Sequence, residues 1–302
     1  MCLFAGYDAD GRIDDYVLDY LRELSRFADV YYLADGEIET SELEKLEPFT
    51  KGAWAERHGA YDFGSYSLLA KKYVGWDLIE TYDELLLVND SCYLLRPLAD
   101  VFARMSTTSA HWWGMQATAH YFDGIDDSGT PMSLAAAKSA RMPHELMQYT
   151  DYLHVGSYFL AFRSPVIADP RFRRHLNSVV PQRRKINVIT KYETGTTRLL
   201  SEIGYDFSTF MPDVYPYHPA YGPSAFAMIR DGFPFLKRGF IADNPYNTPD
   251  LASWKSRIAE LAPSADVDTI ERNLLRVSSA EKLARTFSLT TEADGRSART
   301  NR

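Results

Sequence analysis

Residues 85–88, Leu-Leu-Leu-Val, run without a polar interruption into Asn89, Asp90 and Ser91. A strand with no polar alternation is buried on both faces, and such strands belong to parallel sheets covered by helices on either side. The first forty residues repeat the message. An apolar run at 2–5 is followed by Ile13, Tyr16, Val17, Tyr20, Leu21, Leu24 and Phe27 at helical spacing, then by "DVYYLADG". Strand, helix, strand is the unit of a right-handed parallel crossover. The expectation is therefore an α/β fold with a central, mostly parallel sheet flanked by helices.

The rest of the chain extends this pattern. Further strands are expected at 53–55, across "HWWGMQAT" and over 154–163. Helices are expected at 64–73, 98–105, 169–178 and 183–191, and a loop, helix and strand within 191–210. Residues 120–150 carry no strand pattern and read as a long loop with one helix over 133–150, a candidate lid or acceptor loop. Residues 249–287 read as helical and the polar tail from Thr290 as disordered. The domain reading is 1–247 for the main domain, 248–289 for a C-terminal helical extension and 290–302 for the tail.

Composition narrows the function. The net charge of −8 disfavours nucleic-acid binding through a general basic surface. Two cysteines, Cys2 and Cys92, provide no disulfide framework, and a cytoplasmic setting is expected. No run approaches the roughly 18 apolar residues of a membrane span. One local exception to the acidic balance is "RFRRHLNSVVPQRRK" at 171–185, with five arginines, one lysine and no acid. It reads either as a solvated helix face or as a contact for anionic lipid headgroups or a lipid diphosphate, hence peripheral to a membrane.

In open α/β sheets ligands bind beyond the carboxyl ends of the strands. Asn89, Asp90 and Ser91 sit at such an end. Two readings stand: a turn or helix cap, or a hard-oxygen site for a divalent cation, Mn²⁺ or Mg²⁺, that carries phosphate ligands. Asp8 and Asp35 follow the first two strands and reach the same edge. His154 and His218 are further candidate metal or phosphate ligands, each also readable as a structural histidine.

Seven segments in order carry a resemblance. They are "LFAGYDADGRIDDYVLDYL", "ERHGAYDFGSY", "LLLVNDSCYLLRPL", "WWGMQAT", "HVGSYFLAFR", "KYETGTTRLLSEIGY" and "PFLKRGFIADNPYN". Together, over roughly residues 3–247, they resemble the rhamnan synthesis protein F family of glycosyltransferases. His58 stands where that family commonly has Asn. The resemblance implies a single Rossmann-like domain of GT-A type, as in nucleotide-sugar transferases, and, in place of the usual Asp-x-Asp, a metal motif with the single carboxylate Asp90. It implies that Glu193, just before a helix ending in Arg-Leu-Leu, is the base for the acceptor hydroxyl. A glutamate favoured by the helix dipole is the alternative.

The segment around Arg57, Asp62 and Gly64 is expected along the nucleotide and sugar. Asp62 accepts from hydroxyls or caps the next helix, and Asn89 and Ser91 support the metal or the ribose. Lys237 and Arg238 hold a diphosphate or form a solvated basic pair. Trp112 and Trp113 are candidates to stack on a sugar, with at least one in the core. The implied reaction transfers a sugar, rhamnose or another deoxyhexose, from a nucleotide-sugar donor. The acceptor is a glycan or lipid-linked saccharide in cell-surface polysaccharide synthesis, with inversion. Two rivals remain. A nucleotidyltransferase would want a glycine-rich basic N-terminal loop, which is missing here. A non-catalytic binding module would keep the fold and lose the chemistry.

Overall fold

The computed structural model describes residues 1–119, 131–139 and 153–290. Most of the expected loop at 120–150, and residues 291–302 of the expected tail, lie outside the described residues. Seven strands form one sheet in the order Phe207–Thr209, Trp112–Gly114, Phe159–Arg163, Glu84–Asn89, Cys2–Gly6, Val30–Ala34 and Gly52–Ala55. Only Phe159–Arg163 runs against its neighbours, so the sheet is mostly parallel, as expected.

Two-sided burial is visible residue by residue. Cys2, Phe4, Leu86, Val88, Phe159 and Ala161 pack into one hydrophobic cluster. Leu3, Ala5, Leu85, Leu87, Leu160 and Phe162 pack into the cluster on the opposite face. The period-2 alternation of a strand thus serves two cores rather than a core and a solvent face. Trp112 and Trp113 divide in the same way, one into each cluster, and both are buried. Neither is available as a sugar platform.

Two expected strands are each broken in two. "HWWGMQAT" gives Trp112–Gly114 in the main sheet and Ala117–Thr118 in a four-stranded sheet; "HVGSYFLAFR" gives His154–Val155 and Phe159–Arg163 likewise. The cause is a close crossing. A Cβ on Gly114 would lie 2.3 Å from the Val155 side chain, so the strands can pass only where one has none.

The helix expected at 64–73 begins earlier, at Tyr61, and its second half opens into a wide π-type turn over Leu69–Tyr73. The helix expected at 183–191 is Lys185–Val188, followed by a second wide turn, Ile189–Glu193, that leads straight into helix Thr194–Ile203. Such turns recur at functional sites.

The C-terminal helices Trp254–Leu261, Val267–Val277 and Ala280–Phe287 are amphipathic, and Trp254, Ile258, Ile270, Leu274 and Leu283 join the same cluster as Phe4 and Val88. They are covalently late but share the sheet's core. The buried Asn273 ties them in further, accepting from the Tyr93 hydroxyl at 2.7 Å and donating to Asp14. Trp254→Ala should cost about 3–5 kcal/mol and lower the midpoint of a single cooperative denaturant transition. A separate early transition that left the rest folded would show an independent extension.

Candidate active site

The site begins where parallel strands end. Backbone bonds continue one residue past the sheet: Asp35 N–H donates to Gly6 O at 3.0 Å and Asp90 N–H to Ala5 O at 3.2 Å. The residues that follow the strands Cys2–Gly6, Val30–Ala34 and Glu84–Asn89 are thereby held side by side. Their carboxylates, however, meet different partners.

Asp90 is brought into the centre. Its Oδ2 accepts from Tyr7 N–H at 2.9 Å and lies 3.7 Å from Arg238 Nη1. Burial pushes its pKa up, against the opposing pull of the Arg238 charge and the Tyr7 N–H. Asn89 Oδ1 accepts from Ser91 N–H at 3.1 Å and from Ser91 Oγ at 2.5 Å, and Asn89 Nδ2 donates to Asp62 Oδ2 at 2.8 Å.

Lys237 and Arg238 arrive by strand pairing. Phe235–Lys237 runs antiparallel to Cys92–Leu94, with Lys237 opposite Cys92, and Arg238 N–H donates to Ser91 O at 3.0 Å. Lys237 Nζ donates to Ser91 Oγ at 2.7 Å and sits 4.2 Å from the centre of the Tyr158 ring. Lys237 is only 6% exposed. Burial pulls its pKa down, but Cys92, Tyr221, Glu193 and Asp62 more than offset that, and the net shift is upward. Arg238 donates to the Tyr16 hydroxyl, which in turn donates to Asp90 O at 3.1 Å. A buried cation, Lys237, and a partly buried one, Arg238, therefore flank the Asn89–Asp90–Ser91 turn.

Asp62 and Glu193 complete the cluster. Asp62 Oδ1 accepts from Phe63 N–H at 3.0 Å. The chain enters its helix through left-handed torsions at Gly59 (φ 65°) and Tyr61 (φ 57°), a local cost for a non-glycine residue such as tyrosine. Burial, and then the Glu193 charge, raise Asp62 to about 6. Glu193 Oε1 accepts from Ser157 N–H at 3.2 Å. The wide turn Ile189–Glu193 places it at the start of helix Thr194–Ile203.

Other expected residues serve different ends. Asp8 accepts from the N–H groups of Asp10 and Arg12 and is paired with Arg276. Burial raises its pKa, but the Arg276 bond and these N–H groups prevail and the net shift is downward. Asp35 Oδ1 accepts from His58 N–H at 2.9 Å and Gly59 N–H at 3.0 Å, and so closes the turn ahead of Asp62. Arg57 points to solvent beside Glu37 at 3.6 Å. Gly64 is needed for packing: a Cβ there would lie 2.5 Å from His58 Nδ1. His154 is buried in the four-stranded sheet opposite Thr118. His218 meets Tyr221 edge-on, 4.7 Å between ring centres, and the Tyr221 ring lies 5.7 Å from Lys237 Nζ.

Residues without an expected role also emerge. His58 Nδ1 accepts from Ala60 N–H at 3.1 Å, so its Nε2 carries the proton and bonds Ser65 Oγ at 3.0 Å. Burial lowers its pKa, and the Asp35 carboxylate 3.4 Å away faces a neutral ring. Its signal was the departure from Asn. Gln116 and Tyr158 are buried, and both amide atoms and the phenol oxygen have no hydrogen-bond partner among the described residues. Only "WWGMQAT" and "HVGSYF" as motifs hinted at them.

A divalent cation was expected at Asp90. The fit is poor. Asp90 is the single carboxylate of the turn, its Oδ2 is already engaged, and Arg238 and Lys237 supply positive charge on both sides. Among the described residues no group of three His, Cys, Asp or Glu is arranged to hold a metal. No step below is routed through one.

A family model described as rhamnan synthesis protein F matches residues 30–292. No curated protein matches the chain. Among solved structures, a protein from Desulfovibrio desulfuricans G20 assigned as a nucleotide-diphospho-sugar transferase is 12% identical, with 95% of this chain and 97% of that one covered and a TM-score of 0.43. Core-mannan synthase A from Aspergillus fumigatus, in its Mn/GDP form, is 11% identical over 64% of this chain and 66% of its own, TM-score 0.31. Mouse xyloside xylosyltransferase 1 is 9% identical over 73% and 85%, TM-score 0.35.

Asp62 sets a pH test. With a folded pKa near 6 and an unfolded one near 3.9, it favours the folded state below pH 4, and that contribution is lost as pH rises through 6. Asp62→Asn should therefore raise the melting temperature at pH 8, by an amount equivalent to about 1–3 kcal/mol, and leave it unchanged at pH 4. A variant less stable at pH 8 than the parent would contradict burial as the dominant cause.

Proposed function

The chain belongs to the rhamnan synthesis protein F family, and on that premise we propose that it is a glycosyltransferase acting on a nucleotide-sugar donor. The observation that carries the reading is the convergence of Glu193, Asp62, Lys237, Arg238 and the Asn89–Asp90–Ser91 turn at the carboxyl edge of the sheet.

In the proposed reaction an acceptor hydroxyl oxygen attacks the anomeric carbon of the donor. The bond from that carbon to the diphosphate oxygen breaks, and its electron pair leaves with the nucleoside diphosphate. Lys237 and Arg238 are the fixed charges that meet it, in a water-poor setting where they act strongly. Glu193 takes the hydroxyl proton. A single displacement with one base inverts the anomeric centre. Asp62, held beside Glu193, accepts from donor-sugar hydroxyls. The donor proposed is a deoxyhexose such as rhamnose on dTDP, the acceptor a glycan or lipid-linked saccharide of cell-surface polysaccharide, and the setting cytoplasmic.

Calorimetric titration with dTDP, UDP and GDP, each with Mn²⁺ and with EDTA, tests the donor site. One nucleotide should bind, and Lys237→Ala or Arg238→Ala should weaken it by about ten-fold or more. Retention of the affinity under EDTA is expected from the two cations; a strict need for Mn²⁺ would restore Asp90 as a metal ligand. Binding indifferent to both cation substitutions would remove the diphosphate from this edge.

Glu193→Gln separates catalysis from binding. It should lower turnover by about 10²–10⁴-fold with the donor affinity unchanged, read in a coupled assay for released nucleoside diphosphate. Unchanged turnover would dismiss Glu193 as the base. Tight nucleotide binding without turnover by the parent protein would favour the binding-module reading.

A further inference from the structure

Residues 170–192 contain seven basic side chains and no acid, in a chain of net charge −8. The structure sorts these cations. Arg171 is paired with Asp169 at 2.7 Å, and Arg173 with Glu80. Arg174, Arg183, Arg184, Lys185 and Lys191 are exposed, and none has an acidic partner among the described residues. Lys71 joins them from a neighbouring turn, its Nζ 3.4 Å from Asn177 O. Val180 stands among these cations, 49% exposed. A segment of exposed, unneutralised cations that also exposes an apolar side chain matches an anionic bilayer, where charges meet headgroups and the apolar group enters the boundary.

The patch is also built into the site. Val180 N–H and Gln182 Nε2 both donate to the Tyr192 hydroxyl, at 3.0 and 3.4 Å. Tyr192 is buried, stacks on Phe63 at 5.9 Å and directly precedes Glu193. On the other side His175 bonds Thr196 Oγ1 at 2.9 Å, at the start of helix Thr194–Ile203. Loop, wide turn and carboxylate thus form one hydrogen-bonded unit.

We propose that the surface formed by Arg174, Val180, Arg183, Arg184, Lys185 and Lys191 docks on an anionic lipid bilayer and so presents Glu193 to acceptors carried there. The docking stands on the patch alone; the presentation of acceptors rests on the transferase reading above.

The test is co-sedimentation of the full chain with phosphatidylcholine vesicles, with and without phosphatidylglycerol, at low and high salt. Binding is expected only to the anionic vesicles and should fade at high salt. The triple change Arg183→Gln, Arg184→Gln, Lys185→Gln should lower the partition coefficient on the order of a hundred-fold. A charge-matched control at Lys51, Arg230 and Lys282 should leave it within a few-fold. Equal binding of the two triple variants, binding to neutral vesicles, or capture of single-stranded RNA with the vesicles ignored would each overturn the proposal. Nucleotide titration of the patch variant should match the parent, so a failure here is distinguishable from a failure of the donor site.

Discussion

The short antiparallel pairing of Cys92–Leu94 with Phe235–Lys237 is the contact on which the site depends. It places two cations against a turn whose own side chains are a carboxylate, an amide and a hydroxyl. Lys237 is too buried to stay charged without compensation. The Ser91 hydroxyl, the Tyr158 ring and the negative potential of Asp62 and Glu193 provide it. Remove the pairing and the partly buried Asp90 and Asp62 keep their N–H donors but lose the cations beside them, which is destabilising.

Around that contact the protein accepts local strain and poor charge compensation. Two carboxylates, Asp62 and Glu193, repel through space, and burial together with that repulsion raises Asp62 to about 6. A tyrosine holds a left-handed torsion at the entry to the Asp62 helix, and the wide turn Ile189–Glu193 ends on Glu193 itself. Groups held this way are what mark the cluster as a candidate site. Asp35, His58 and Gly64 are the reverse case. They lie next to the cluster in sequence or at the same sheet edge, but they close and pack the turn that aims Asp62.

The C-terminal helices contribute from the far side. Arg276 gathers Asp8, Asp10 and Asp14 and so pins the loop after the first strand. That explains why Asp8, at the same sheet edge as Asp90, is oriented away from the cation pair. Asp14, the residue just before helix Asp15–Leu24 and of a type that commonly caps helices, makes no capping bond and is drawn instead to Asn273 and Arg276. A long-range ion pair has displaced a local preference.

What the sequence determined by itself is what short-range chemistry determines. Unbroken apolar runs at 2–5 and 85–88 required burial on two faces, hence a parallel sheet with helices on both sides. The rule that ligands gather beyond strand ends then pointed to Asp90 and its neighbours. The ordered motifs pointed to the family and singled out Glu193, Lys237 and Arg238 as candidates. Tertiary structure alone decided which carboxylate meets which cation. Asp8, Asp35 and Asp90 are alike in sequence context, each following a strand. Their partners, Arg276, the His58–Gly59 amides and Arg238, come from elsewhere in the chain. The strand breaks at the Gly114 crossing, and the raised Asp62, have the same origin. Steric approach and desolvation depend on what packs opposite, and no local pattern encodes that.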